Sequence, residues 1–404
     1  MSGHRLPHPS DLAPVFRTIS RHPVFPDVSH DENARLSVLG ALSKHLSSVL
    51  LPGNKVAFEK RARPLFRQQT GDDVETRQDV HRAMRQDSHY QLYSALRRSM
   101  LEMTQQASRA LVLRQLDELV ARAKQYNEQR PDTLQLDPSL RVPDYMRLID
   151  SHCLPGSYYT EYVPNDITNA AIYEASRFVT TGRSGDEAGR ALVTWLKQQY
   201  PDFRPRRILD VGCGLGQNTL PLAMAYPEAD IVGLDVSAPM LRYAHAQAVA
   251  LGIPNVRFRQ ANAEAMPFDD ESFDWVQSTL FLHETSIHAM AEIGREIRRV
   301  LRPGGLTLHI EQPQFTPEMP VFEQFMRDWD AFNNNLPYLS VLQELDRTEW
   351  LEQTGFAREN VLEFSAPSVD AQYDITNPTP TQPEDYGRPA VWNVFGAWKT
   401  PTTS

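Results

Sequence analysis

The order of apolar and polar positions divides the chain into a helical first third and a remainder in which strand and helix patterns alternate. From Asp31 to Leu51, apolar residues recur at Leu36, Leu39, Leu42, Leu46 and Leu50, the spacing of an amphipathic helix, and the pattern stops before Pro52-Gly53. A longer helix is expected from Ser88, with Ser88 and Gln91 as a capping box, to about Lys124. Its Leu92, Leu96, Met100, Met103, Ala107, Leu111 and Leu116 roughly keep the same spacing, which suits core packing between helices or, alternatively, a dimer seam. Residues 1–30 lack periodicity and predict an extended or disordered arm, and residues 127–140 read as a linker. Further on, Ser184 and Glu187 suggest a second capping box opening a helix to about Tyr200. Apolar runs near 207–211, 231–235, 256–260, 273–278 and 305–310 then alternate with helical stretches, and two last strands are expected near 360–366 and 391–399. Alternation of this kind predicts an α/β fold with a doubly wound, mostly parallel, seven-stranded sheet, preceded by a helical domain. The expected divisions are 1–30 (arm), 31–142 (helical domain), 143–183 (lid or connector) and 184–404 (sheet domain), with the excursion 367–389 placed to cover a substrate site.

Composition narrows the function without naming it. The 404 residues are 41% hydrophobic, with no apolar run of membrane-spanning length and no basic-then-apolar leader in the first thirty residues, so the cytosol is the expected compartment and no membrane partner is expected. A formal net charge of −10 opposes attraction to phosphate backbones, which argues against a nucleic-acid partner. The two cysteines, Cys153 and Cys213, lie in different segments and support neither a disulfide framework nor a metal cluster.

The densest chemical signal is ILDVGCGLG at residues 208–216, an apolar strand running into Gly212, Gly214 and Gly216, followed by Asp235 at the end of the next strand in IVGLDVS. Glycines let the backbone turn and approach a ligand closely, and a carboxylate at the end of the second strand can accept from both ribose hydroxyls. The loop is GxGxG followed by Gln217 and Asn218, so the dinucleotide pattern fails at its third glycine and a nicotinamide oxidoreductase is disfavoured. Taken with IVGLDVSAPML, NVRFRQANAEAMPF, FDWVQSTLFLHE and VLRPGGLTLHIE, the segment resembles the class I S-adenosylmethionine-dependent methyltransferases, and within them the branch of quinone-biosynthesis and small-molecule methyltransferases. The resemblance implies S-adenosyl-L-methionine as cofactor and a small-molecule substrate. It implies that the glycine loop with Cys213 and Asp210 holds the amino-acid part, that Asp235 holds the ribose, and that Val236, Met240 and the segment Asn262, Ala263 and Glu264 border the adenine. Asn262 stands where the branch usually has Asp, yet its carbonyl oxygen still accepts a hydrogen bond. A catalytically silent cofactor-binding protein is the other reading.

The acceptor side is expected after the fourth strand of the motif, at Ser278, Thr279, Leu282, His283 and Glu284, with Ser278 also touching the cofactor. His283 stands where the branch often has a histidine facing the methyl, and an imidazole can take a proton near neutral pH. Glu311, at the end of the next strand, is aimed at the same place. A metal reading of His283, Glu284 and His288 fails because His-Glu-x-x-x-His lacks zincin spacing, so no metal is expected. In the connector, Tyr158, Tyr159, Tyr162 and Arg177 are candidates for the methionine carboxylate or the acceptor wall, and the aromatic and Met-rich stretch 313–339 suggests an apolar acceptor pocket. The helical stripe of the first third allows a homodimer.

Overall fold

Residues 22–181, 185–369 and 391–401 are described by the computed structural model. Among the described residues eight strands form one sheet: β1 (Leu134–Gln135), β2 (Arg207–Val211), β3 (Asp230–Asp235), β4 (Val256–Gln260), β5 (Phe273–Thr279), β6 (Leu301–Glu311), β7 (Val361–Pro367) and β8 (Val391–Trp398). Their order is β1-β4-β3-β2-β5-β6-β8-β7, parallel throughout except for β8, which runs antiparallel to both β6 and β7. The seven expected strands are present. The eighth, β1, comes from the stretch expected to be a linker, where Leu134 and Gln135 pair with Phe258 and Arg259 along the edge of β4.

Alternation along the buried strands sends side chains to two helical layers. Ile208 packs with Ala188, Leu192, Leu196 and Leu220 on one face, whereas Leu209 and Val211 pack with Met290, Ile293 and Ile297 on the other. The chain winds outward from β2 in both directions, through β3 and β4 on one side and β5 and β6 on the other. The helices that follow β2 and β5 therefore leave from opposite faces and open a crevice at the carboxyl ends of these two strands, where ligands bind in sheets of this kind.

The helical first third departs from its sequence pattern at the prolines. The expected stop at Pro52 does not occur. Helix His30–His45 runs into a π turn at Leu46–Leu50, continues as Leu51–Ala57, passes a second π turn at Phe58–Ala62 and ends in Arg63–Thr70. Each π turn directly precedes a helical segment whose first turn carries a proline, Pro52 or Pro64. A proline lacks the N–H and its ring crowds the carbonyl four residues back, and the wider turn releases that carbonyl. Gly71, with φ of 83°, then ends the run.

The long helix also differs. It spans Ser88–Leu113 and is capped by Asp87, whose carboxylate accepts from the His89 N–H, in place of Ser88. It breaks at Arg114-Gln115 before Leu116–Asn127 begins. Gln115 is buried at this break, and its side-chain amide both accepts from Asp27 N and donates to Asp27 O. Residues 22–29 of the expected arm are thus tied down, with His22 and Val24 buried. Leu92 and Met103 of the expected stripe face solvent, at 52% and 41% exposure, while Tyr93, Thr104, Ser108 and Val112 are buried. The helix expected to open near Ser184 is described from Glu187 onward. Asp186 holds the N-cap position of Glu187–Gln199, and the Glu187 carboxylate accepts from Val369 N and Trp392 Nε1, on β8 and the approach to the excursion. Ser184 and all but the start of the excursion 367–389 lie outside the described residues.

The helical region closes on the sheet domain through helix Ala238–Ala250. Met240, Tyr243 and Ala246 on that helix share one apolar cluster with Val24, Val112, Leu119 and Ala123. Among the described residues no helix is long and apolar enough to cross a membrane.

Candidate active site

At the end of β2 the chain turns through Gly212, Gly214 and Gly216, all with positive φ (69°, 50° and 73°). At Gly212 a Cβ would lie 2.1 Å from the Phe281 ring, so only glycine lets the turn after β5 approach this closely. At Gly214 a Cβ would meet nothing within 4 Å, because that face of the loop opens into a cavity of about 160 Å³. Asp235, ending β3, accepts from Gly214 N (2.8 Å) and Ser237 N (2.9 Å), so it splices the glycine loop to the next helix start and keeps spare lone pairs toward the cavity. Burial raises its carboxyl above the usual range, against the lowering effect of those backbone bonds.

Asp210 sits beneath the loop, accepting from Thr219 Oγ1 (2.5 Å) and Gln277 Nε2 (2.6 Å). Burial pushes its carboxyl up to about 7, with the two hydrogen bonds working against the shift and the neighbouring Asp235 charge adding to it. Its apparent balance near neutrality marks a place where a cation would be welcome. Val236, Met240, Asn262 and Ala263 line the cavity's far end. The Asn262 oxygen already accepts from Glu264 N (3.0 Å), and one lone pair is left for a ligand.

Three of the expected cofactor residues lie outside the cavity wall. Gly216 shapes the turn against Ala244 and Phe258. Glu264 is held by the Tyr145 hydroxyl and the Asn262 amide. Ser278 points to the opposite sheet face, where its Oγ meets His309 Nδ1 at 2.8 Å, and strand alternation gives its place in the wall to Thr279. In the connector, Tyr158 and Arg177 do reach the cavity, joined by Tyr173. Tyr159 and Tyr162 do not, because their hydroxyls donate to the carbonyls of Arg147 and Pro155.

A second, larger cavity of about 290 Å³ adjoins the first, with Tyr173, Arg177, Leu280, Glu284 and Trp392 in both walls. His283 and Glu311, the two expected catalytic residues, line this one and not the first. Glu311 is buried and spends its carboxylate on Phe281 N (2.9 Å), Leu282 N (2.7 Å) and His283 Nδ1 (2.7 Å), so it fixes the turn and orients the imidazole. That turn starts at Leu280, with φ of 52°. Burial works against a charged His283, but the facing Glu311 and Glu284 outweigh it and hold the imidazole above its ordinary pKa. Glu284 receives the Tyr158 hydroxyl (2.8 Å), and His152 Nε2 stands 3.4 Å away. Burial alone would raise its carboxyl, yet His152, His283 and Tyr158 bring it below the usual range.

The rest of the second cavity comes from the first third, with Leu46, Tyr93, Arg97, Met100 and Gln105, and from Arg327, Asp330 and Leu336. Of the stretch 313–339, Pro313, Arg327, Asp330, Asn334, Leu336 and Leu339 reach the cavity, whereas Phe325, Met326 and Trp329 pack against the proline-bearing helices. Arg97 pairs with Asp330 (3.1 Å) and lies 3.9 Å from the Trp329 ring centroid, a half-buried cation satisfied on both sides. Sequence reasoning missed Glu187, Gln217, Phe281 and Trp392. Gln217 was readable as the residue closing the glycine loop, and its Oε1 accepts from Arg177 Nη1 at 2.6 Å. It also missed His152, which no motif marks. His288, weighed as a ligand, is exposed.

Residues 208–305 match the family described as a methyltransferase domain. A curated relative, the demethylmenaquinone methyltransferase of Staphylococcus aureus, is 32% identical over 166 residues, which is 40% of this chain and 66% of the relative. The chain thus spans about two thirds of the length of the curated relatives it matches. Among solved structures, a phosphoethanolamine N-methyltransferase 2 of Haemonchus contortus in complex with S-adenosyl-L-methionine aligns at 18% identity and a TM-score of 0.42, over 64% of this chain and 60% of that one. The YcgJ protein of Bacillus subtilis aligns at 21% identity and a TM-score of 0.36, over 52% of this chain and 97% of that one.

Proposed function

We propose that this chain, which carries a class I S-adenosylmethionine-dependent methyltransferase domain, transfers a methyl group to a small, largely apolar or aromatic metabolite seated in the second cavity. The observation that supports this reading is the shared wall. The cavity at the glycine loop, where Asp235 and Asp210 face the expected ribose and amino-acid ends, meets a larger cavity along Leu280, Glu284 and Tyr173. The open face of Gly214, where a Cβ would meet nothing, leaves the backbone room for such a ligand.

S-adenosylmethionine supplies a methyl on a positively charged sulfur that becomes neutral on transfer, so the protein's task is alignment more than acid catalysis. Asp235 holds the ribose hydroxyls and Asp210 favours the ammonium. Glu311 takes His283 Nδ1 and so directs Nε2 of that ring toward the acceptor, where it can accept the acceptor's proton. Pro313, Leu336, Leu339 and Met100 offer the acceptor an apolar surface. A relative named as a demethylmenaquinone methyltransferase supports a metabolite over a macromolecule as the acceptor. The reading is tested by calorimetry with S-adenosylhomocysteine and NAD, followed by transfer of a labelled methyl to a metabolite panel. Saturable NAD binding with no S-adenosylhomocysteine binding would overturn it.

A further inference from the structure

Where the two cavities meet, three potential metal ligands converge from two distant segments: His152 of the connector, and His283 and Glu284 of the turn after β5. One ligand atom from each lies within 4.8 Å of the other two, and His152 Nε2 is already 3.4 Å from Glu284 Oε1. Ligand atoms around a tetrahedral Zn²⁺ at bond lengths near 2.0–2.1 Å stand about 3.3 Å apart, so this pair has the spacing and the third member needs only a small inward shift. Spacing along the chain could not reveal the set, because His152 is brought in by the fold.

The surroundings orient the ligands. His283 Nδ1 is bonded to Glu311 (2.7 Å) and His152 Nδ1 to the Asn334 side-chain amide (3.0 Å), so Nε2 is the nitrogen each ring would offer an ion, that of His152 already paired with Glu284. A carboxylate behind a ligating histidine is the arrangement that raises ligand basicity at zinc sites, and the Asn334 amide fixes the orientation of the His152 ring. Glu284 is held by the Tyr158 hydroxyl. His152 itself has φ of 55°, in the left-handed region, and two bonds keep it there: its N–H donates to Asn334 O (3.1 Å) and its carbonyl accepts from Gln105 Nε2 (3.0 Å). The backbone is thus held in an unfavourable conformation that places this one side chain beside Glu284.

We infer that His152, His283 and Glu284 form a binding site for one divalent transition-metal ion of the zinc class, with its open coordination position facing the acceptor cavity. Two imidazoles and one carboxylate suit zinc and its transition-metal neighbours and not magnesium or calcium, which take oxygen donors. Resting on the methyl-transfer reading, the site assigns the acceptor a hydroxyl or enol oxygen as the reacting atom. That oxygen binds the ion and gives its proton to solvent water. An oxygen lone pair then forms the O–CH3 bond as the C–S bond breaks, and the electrons of that bond return to sulfur. The ion keeps its charge and the products are the methyl ether and a neutral thioether. With the ion bound, His283 is a ligand rather than the proton acceptor.

The test uses the full chain, stripped with chelator and dialysed, then titrated with Zn²⁺ by calorimetry and with Co²⁺ by visible absorption. One equivalent bound, with the absorption of four-coordinate Co²⁺, is the expected result. His152→Gly, which suits the left-handed backbone while deleting the imidazole, and Glu284→Gln should each weaken binding at least about a hundredfold. Asn334→Ala should weaken it about ten- to a hundredfold, as loss of an outer partner does. No stoichiometric uptake by the parent, or equal uptake by His152→Gly, overturns the site. S-adenosylhomocysteine affinity is measured alongside. Cofactor binding without metal uptake removes the ion alone, whereas metal uptake without cofactor binding removes the methyl-transfer reading and keeps the ion.

Discussion

The two adjoining cavities are built on opposite plans. The proposed cofactor cavity rests mainly on one run, from β2 through the turn after β5, where most contributing groups sit at or just after strand ends, with Tyr158, Tyr173, Arg177, Glu187 and Trp392 added from outside that run. The acceptor cavity draws on the first third, the connector, the turn after β5, the 313–339 stretch and β8. A strand end in a parallel sheet is positioned by the ladder on both sides, so its geometry survives large changes elsewhere. The acceptor cavity has no such frame. Its shape depends on how the proline-bearing helices pack against Phe325, Met326 and Trp329, and chemistry can be altered there while the cofactor end stays intact.

Changes confined to one cavity test that division. The largest effect is expected from His283→Ala, which should lower turnover by about 10²–10⁴-fold, the usual contribution of a positioned proton acceptor or ligand, while S-adenosylhomocysteine affinity stays within about threefold. Turnover near the parent value, with the true acceptor at saturating cofactor, would remove His283 from the chemistry. On the other side, Asp235→Ala should weaken cofactor binding by about 10²–10³-fold, because it removes charged hydrogen bonds and unties the Gly214 and Ser237 amides. Unchanged affinity in a calorimetric titration would break the assignment of the ribose end.

A third expectation concerns pH and separates Asp210 from the acceptor side. Its carboxyl titrates near 7 in the free protein, so below that pH the group is neutral and a ligand ammonium must first displace its proton. S-adenosylhomocysteine affinity should therefore rise about tenfold between pH 6 and pH 8, and Asp210→Asn should flatten the profile. The same raised value means that ionising Asp210 above its unfolded pKa costs the unliganded fold stability. Bound ligand should thus raise the melting temperature more at pH 8 than at pH 6. The smallest effect is expected from Leu336→Ala, which should raise the acceptor KM about three- to tenfold by removing apolar contact, with kcat and cofactor affinity unchanged. A fall in cofactor affinity instead would show that the two cavities are mechanically coupled.

Legibility in the sequence follows the same line. The seven main strands were readable because buried parallel strands are nearly continuous apolar runs. Asp210, Gly212, Gly214 and Asp235 were readable because their work is local, a turn and a strand end. The helix through Pro52 was not, since a π turn just ahead of a proline has no composition of its own. Nor was β1, two residues long, which exists only because the edge of β4 is there to pair with. Ser278 was misplaced by one residue of strand alternation, which carried the wall to Thr279.

By itself the sequence determined the alternating fold, the glycine turn and the acid at the end of β3, because each depends on residues within a few positions of one another and on backbone conformations that few residue types allow. Only the tertiary structure decided that Glu311 would spend its carboxylate orienting His283, that Glu187 would hold β8, and that His152 would stand beside Glu284. Those partners lie tens to hundreds of residues apart along the chain. Their meeting is set by packing between layers, which specifies position through the summed fit of many side chains and leaves no periodic trace in the segment that supplies any one of them.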